Sequence, residues 1–214
     1  MIDQTPSSAN VIALDRSQSM LQYALAESTS CKPLCADAEQ LPLRHQSVDL
    51  IFANFLLPWQ EDIQSLLREW RRVLRPDGLL MLTAFGPDTM QECKAWEPST
   101  TIPYCMDMHD VGDSLLKEGF ADPVLDVNYY TLTYRNKKKL ITELMHSGML
   151  AELEEAYHLE QKMTEAEEGV WSITYEMIYA HAFAPTAKEQ VAATDGVVKI
   201  PLSQLRQQLI SKSS

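Results

Sequence analysis

The chain is 214 residues long, room for one hydrophobic core with at most a small appendage, and its 45% hydrophobic and 22% charged residues place it among globular proteins rather than fibrous or disordered ones. A formal net charge of -12 argues against nucleic acid as the main partner, because phosphate binding depends on clustered cations. No apolar run approaches the roughly 20 residues that span a bilayer, and the opening MIDQTPSSAN has neither the basic lead nor the apolar centre of a secretory signal, so a cytoplasmic protein with no membrane partner is expected.

The first element in chain order is VIALD, Val11 to Asp15, four apolar residues ending in an acid, followed by a helix over Gln18–Glu27 with Met20, Leu21, Ala24 and Leu25 inward. Lys32 to Cys35 reads as a short strand, ADAEQLPLRHQS as a polar loop, and VDLIFAN as an apolar run of the kind buried on both faces of a parallel sheet. From Ile63 to Leu74 the apolar residues recur at helical spacing. Arg75-Pro76-Asp77-Gly78 stops that helix, with the glycine expected to take the reversed dihedral of a tight turn. LLMLTAF is the next strand. Strands alternating with helices are the grammar of a parallel sheet covered by helices, an α/β protein.

The second half changes character. Asp107 to Glu118 reads as a helix closed by Gly119, PVLDVNYYTLTY as a strand, Lys137 to Met145 as a helix and Leu150 to Glu168 as an acidic helical stretch. WSITYEMIYAHAF has the β-branched and aromatic content of a final strand. The reading is therefore one α/β domain over residues 1–183, with a helical insertion at about 136–168, and a tail over 184–214. Cys31, Cys35, Cys93 and Cys105 are too few and too irregular for a disulfide framework or a metal site, so reduced thiols are expected.

The run from VIALDRS to LLMLTAFG resembles the Rossmann-like sheet of class I S-adenosylmethionine-dependent methyltransferases. TAFGPDTMQE, DMHDVGDSLLKEGFADPVLDV, LTY and YEMIYAHAF are similar to one branch, the BioC family of malonyl-acyl-carrier-protein O-methyltransferases of biotin synthesis, and the likeness runs from about Val11 to Phe183. The resemblance implies S-adenosylmethionine as cofactor. Asp15 would accept from both ribose hydroxyls, Asp37 from the adenine amino group, the Ala38 N–H would donate to a ring nitrogen, and Asn54 would sit at the carboxyl edge, where open α/β sheets bind ligands. Each acid alone also fits a helix cap or turn former.

The implied reaction is methyl transfer to the free carboxylate of a malonyl thioester on an acyl carrier protein. A carboxyl group that titrates at about pH 4 is already ionised at neutral pH, so no general base is required. The site must align an oxygen with the methyl group and steady the charge with hydrogen bonds. His109, in DMHDVGD, is the substrate-orienting candidate, weighed against Asp107 simply capping the next helix with His109 and Asp110 in its first turn. His181 reads as structural. Trp59, Tyr104 and Trp96 are candidates to line a thioester-arm tunnel or to fill the core. Arg135, Lys137, Lys138 and Lys139 are candidate docking cations for the acidic carrier or its phosphopantetheine phosphate.

The chain departs from the family at its start. It has seven glycines and none precedes Gly78, so the glycine-rich turn expected upstream of the ribose acid is not encoded. Only ten residues precede Val11, whereas a first strand, its turn and its helix need about 20 or more. In the family's sheet, ordered 3-2-1-4-5-7-6, the first strand lies between the strands that correspond to Val11–Leu14 and Val48–Ala53. An N-terminally truncated sheet, lacking its first strand and helix, is therefore expected, with two inner edges unpaired. Either the Val11 strand slides over to pair with Val48–Ala53, or a partner supplies the element, or the chain is a late-start product of a longer gene, the alternative favoured here. Two other functions stay open: methylation of another small molecule, and a non-catalytic remnant or assembly protein.

Overall fold

A computed structural model describes residues 9–27, 31–60, 62–97, 105–150, 152–163 and 169–186. The elements run β1 (Val11–Asp15), α1 (Gln18–Glu27), β2 (Cys31–Cys35), β3 (Val48–Asn54), α2 (Ile63–Val73), β4 (Leu74–Phe85), α3 (Gln91–Trp96), α4 (Met108–Lys117), β5 (Ala121–Tyr134), α5 (Lys137–His146), α6 (Leu153–Lys162) and β6 (Trp171–Phe183). Among the described residues, no helix is long and apolar enough to cross a membrane.

The strands form two sheets. β1 and β2 pair in parallel, and β3, β4, β6 and β5 make a second sheet in that order, parallel between β3 and β4 and antiparallel on either side of β6. The division falls between β1 and β3, where the first strand of the family's sheet is expected. β1 has not slid over to pair with β3. The first of the three alternatives is thereby not what the chain does. The two parts still share a core: Ala38, just after β2, is buried in one apolar cluster with Ala53 of β3, and Leu14 of β1 packs against it.

One face of the larger sheet is covered by α2 and α4. Asp62 caps α2 by accepting the Ser65 N–H at 3.0 Å, and the helix buries Leu66, Leu67, Trp70 and Val73. α4 buries Val111 and Leu115 toward the same side. Leu80, Leu82, Ala84, Ile178, Ala180 and Ala182 meet them from the sheet. The opposite face is bare among the described residues. The register aligns Phe52, Met81, His181 and Val124 across four strands, and Leu50 and Phe52 remain 50% and 40% exposed. VDLIFAN is thus buried on one face rather than two, because no described element lies over the other.

A second core sits beyond the end of β4. The β5–β6 ladder continues past Phe85 up to the Tyr134–Trp171 pair. Against this ribbon pack Cys93 of α3, Leu140, Ile141 and Leu144 of α5, and Ala156 and Leu159 of α6. α3, α5 and α6 thus form a helical cover on the part of the β5–β6 ribbon that extends beyond β4. The acidic stretch is helical only over Leu153–Lys162, with residues 164–168 outside the described residues.

Arg75-Pro76-Asp77-Gly78, expected as a tight turn before the strand, lies inside β4 as an irregularity in its pairing with β3. Asp77, not the glycine, takes the reversed dihedral, with φ of 60°, a conformation aspartate tolerates better than most residues. Gly78 is needed for closeness instead: a Cβ there would lie 2.8 Å from the Arg75 carbonyl oxygen. Gly119 does close α4, at φ of +79°. Ala184, the first residue of the tail, is buried and donates its N–H to the Gly78 carbonyl at 2.8 Å; residues 187–214 lie outside the described residues.

Candidate active site

The acids of the first half occupy adjoining tips. Asp15 ends β1 in register with Cys35, which ends β2, and the Ala36 N–H donates back to the Asp15 carbonyl at 3.2 Å. Asp37 follows two residues after Cys35. Both side chains adopt the same local turn. Asp15 Oδ1 accepts the Ser17 N–H at 2.7 Å and Asp37 Oδ1 accepts the Glu39 N–H at 2.9 Å, as strand-tip aspartates do when they order the following backbone. In each, the second carboxylate oxygen has no hydrogen-bond partner among the described residues. Asp37 is exposed, and Ala38 beside it is buried, so the side chain of Ala38 anchors the turn in the core.

The loop that carries Asp37 is held from below. Glu69 and Arg72 of α2 form a two-pronged pair at 2.7 Å on each side. Arg72 also donates to the Leu41 and Leu43 carbonyls at 3.0 Å each, and Glu69 accepts the Leu41 N–H at 2.7 Å. The Arg72 hydrogen bonds, joined by that N–H, hold the Glu69 carboxyl below its ordinary value against an opposing push from burial.

Asn54 ends β3 in the other sheet and is not hydrogen-bonded to either acid tip. Its Oδ1 accepts from the Thr83 hydroxyl of β4 at 2.7 Å. The next residue, Phe55, takes φ of 52°, a left-handed conformation that costs a bulky residue roughly 1–2 kcal/mol. Its N–H donates to Thr83 twice, to the carbonyl at 3.0 Å and the hydroxyl at 3.1 Å. This geometry lays the Phe55 ring on Phe85 at the tip of β4, with centroids 4.2 Å apart and planes 11° apart; Tyr175 of β6 follows at 5.8 Å from Phe85. Burial pushes the Tyr175 phenol up to about 12, so it stays neutral at physiological pH. The sequence gives no warning of this platform: nothing in NF or TAF announces a left-handed phenylalanine.

Asp107 is the N-cap of α4, accepting the His109 N–H at 2.8 Å, and His109 is exposed in the first turn. Trp59, in the short 3-10 turn Leu57–Trp59, lies against the turn after α5: a Cβ on Gly148 would be 3.7 Å from the indole. Trp59 therefore joins the loop after β3 to the helical cover. Tyr104 lies outside the described residues. Of the cations, Lys137 is turned inward, its Nζ donating to the Glu160 and Met163 carbonyls at 3.0 and 3.2 Å and lying 5.4 Å from the Trp171 ring centre. That is a helix-terminus anchor for α6 and not a free docking charge, a correction to its reading from the sequence. Lys139 pairs with Glu143 at 3.6 Å, while Arg135 and Lys138 are exposed.

Among the described residues, no group of three potential metal ligands occurs. The carboxylates of Asp15 and Asp37 are hydrogen-bond acceptors of the kind a ribose diol or an exocyclic amine would need.

Comparison with known proteins fits this geometry. The family description of a methyltransferase domain matches residues 2–82. The malonyl-[acyl-carrier protein] O-methyltransferases of Methylovorus sp. (strain MP688) and Gallionella capsiferriformans (strain ES-2) are 35% and 34% identical, over 88% and 84% of this chain and 71% and 70% of their own lengths. That of Halorhodospira halophila is 33% identical over 92% of this chain and 74% of its own. Among solved structures, a methyltransferase-type protein of Bacillus halodurans C-125 superposes with a TM-score of 0.60 at 21% identity, covering 83% of this chain and 84% of that one. The [4+2]-cyclase SpnF superposes at 0.55 with 16% identity over 87% and 70%. These structural likenesses show the fold alone, and the cyclase illustrates why fold does not fix activity. By sequence, the chain belongs to the malonyl-[acyl-carrier protein] O-methyltransferase family, S-adenosylmethionine-dependent methyltransferases of class I, Rossmann-like architecture.

Proposed function

We propose that the protein methylates the free carboxylate of a malonyl group held as a thioester on acyl carrier protein, a step of biotin synthesis. One observation carries this reading. The methyltransferase domain match stops at residue 82, whereas the likeness to the malonyl-carrier enzymes covers 84–92% of the chain and so includes the second half, where a substrate would be chosen.

The cofactor supplies an activated methyl group next to a neutral thioether leaving group. The chain's own part is to place and to steady. Asp15 and Asp37 hold the nucleoside end, Asn54 and the Phe55–Phe85 platform border the reacting end, and His109 is a candidate donor to the malonyl carboxylate. A carboxylate oxygen forms the new C–O bond as the C–S bond breaks with its electron pair on sulfur, and no proton moves, so the site needs no base. Alignment for in-line displacement is the larger task, worth several kcal/mol. Trp59 and the helical cover are the proposed path for the thioester arm. Exposed Arg135 and Lys138 are the proposed docking charges for the carrier.

A methylation assay with malonyl-carrier beside malonyl-CoA tests the reading, together with rescue of biotin-free growth. Preference for the carrier thioester supports it; methylation of an unrelated small acid only would replace it. A second reading, a non-catalytic remnant or assembly protein that binds a partner, is favoured by the division of the sheet between β1 and β3. Calorimetry with S-adenosylhomocysteine separates the two: no heat from folded protein supports the non-catalytic reading.

A further inference from the structure

We propose that Thr83 is a positioning residue, and that the Asn54 side chain it fixes donates a hydrogen bond to a carboxylate oxygen of the bound reactants. A threonine hydroxyl has one proton to give and two lone pairs to accept with. Here it accepts the Phe55 N–H at 3.1 Å and lies 2.7 Å from Asn54 Oδ1. The proton therefore goes to Asn54 Oδ1. Turning the amide over would leave the proton of a hydroxyl on a residue only 9% exposed without its acceptor, at the cost of an unmade buried hydrogen bond.

With Oδ1 occupied, the outward group of Asn54 is the NH2, and among the described residues its two N–H bonds meet no acceptor. Asn54 is exposed at the tip of β3, beside two aromatic rings that offer no competing acceptor. A tip that presents only donors selects an acceptor. Both reactants of the proposed reaction carry a carboxylate, the methionyl one of the cofactor and the free one of the malonyl group, and this inference rests on that reaction. A neutral amide suits the task better than a cation, because it holds one oxygen while leaving the other nucleophilic. Phe55 completes the device: its N–H, at the end of the β3–β4 ladder, occupies a lone pair of the Thr83 hydroxyl, and the hydroxyl proton sets the amide.

The test uses the full chain with Thr83→Val, which keeps the volume and removes the hydroxyl, and Thr83→Ser, which restores it. In 15N-labelled protein the Asn54 side-chain amide pair is expected to be motionally restrained in the wild type and in T83S, and freely averaging in T83V. Binding is then compared between S-adenosylhomocysteine and methylthioadenosine, which lacks the methionyl carboxylate. A roughly ten-fold loss in T83V for the first ligand alone assigns Asn54 to the cofactor. Unchanged affinity for both, with a roughly ten-fold higher KM for malonyl-carrier at constant kcat, assigns it to the substrate. A T83V protein that folds, keeps the amide restrained, or changes neither affinity nor KM while the wild type methylates malonyl-carrier overturns the inference and leaves the reaction standing. A wild type that neither binds nor methylates overturns the reaction and carboxylate capture together.

Discussion

The Phe55 and Phe85 rings stack 4.2 Å apart across the tips of β3 and β4, and the stack exists only because Phe55 sits at φ of 52°. Two terms oppose each other at this residue: the stacking gain, about 0.5–1.5 kcal/mol beyond burial, and the backbone cost, about 1–2 kcal/mol. Removing the ring alone is expected to destabilise, and removing ring and Cβ together to recover part of the loss. Phe55→Ala should lower unfolding free energy by about 1–2 kcal/mol, and Phe55→Gly by less, despite glycine's greater unfolded-state entropy. Urea denaturation of the two variants measures the order. A glycine variant weaker than the alanine variant would show that the left-handed conformation is not populated in solution.

The two faces of the larger sheet should answer differently to the same truncation. Leu80 is fully buried against α2 and α4, and Leu80→Ala is expected to cost about 2–5 kcal/mol. Phe52, one strand away on the bare face, loses little water exclusion when shortened, and Phe52→Ala is expected to cost less than about 1 kcal/mol. Equal losses would mean that the bare face is covered in solution.

That asymmetry marks the boundary of what the sequence could reveal. The order of elements apart from α3, the strand tips at Asp15 and Asn54 and the Asp107 cap follow from local patterns: apolar runs, capping residues and turn formers. VDLIFAN misleads because a continuous apolar run reports the fold that its residues evolved to fill, not whether a covering element is present. The Phe55–Phe85 platform and the Thr83–Asn54 bond join residues about thirty positions apart, and depend on a left-handed dihedral that no residue type there signals. Lys137 misleads for a related reason. A run of three lysines looks like one charge patch, but helical spacing sends its first member toward the end of α6 while the others face outward.

The lysine run therefore makes a separable prediction. Lys137→Ala removes two hydrogen bonds at the α6 terminus and a cation over Trp171, and is expected to destabilise the protein by about 1–2 kcal/mol. Lys138→Ala and Arg135→Ala should leave thermal stability within about 0.5 kcal/mol of wild type, as surface changes do. If carrier docking uses this edge, only the latter pair should raise the KM for malonyl-carrier at unchanged melting temperature, with an effect that fades at high salt.

The Glu69–Arg72 latch predicts how the loop bearing Asp37 responds to acid. Because the folded carboxyl is held below its ordinary value of 4.5, chiefly by its Arg72 hydrogen bonds, the unfolded chain takes up this proton first as pH falls. The latch's contribution is thus fully present above about pH 4.5 and is lost as pH drops through the folded value. Glu69→Gln keeps the shape but removes the titration, so it should be less stable than wild type at neutral pH, with the difference shrinking as pH falls below the ordinary carboxyl value. The same change frees the Leu41 N–H from a charged acceptor and weakens the Arg72 grip on the Leu41 and Leu43 carbonyls. Lower amide protection factors at residues 37–43 are expected in Glu69→Gln than in wild type at neutral pH, with wild type approaching the variant as it is acidified. A wild type and variant that differ by the same amount at every pH would mean that the latch is not ionic, and that Asp37 is held by packing around Ala38 alone.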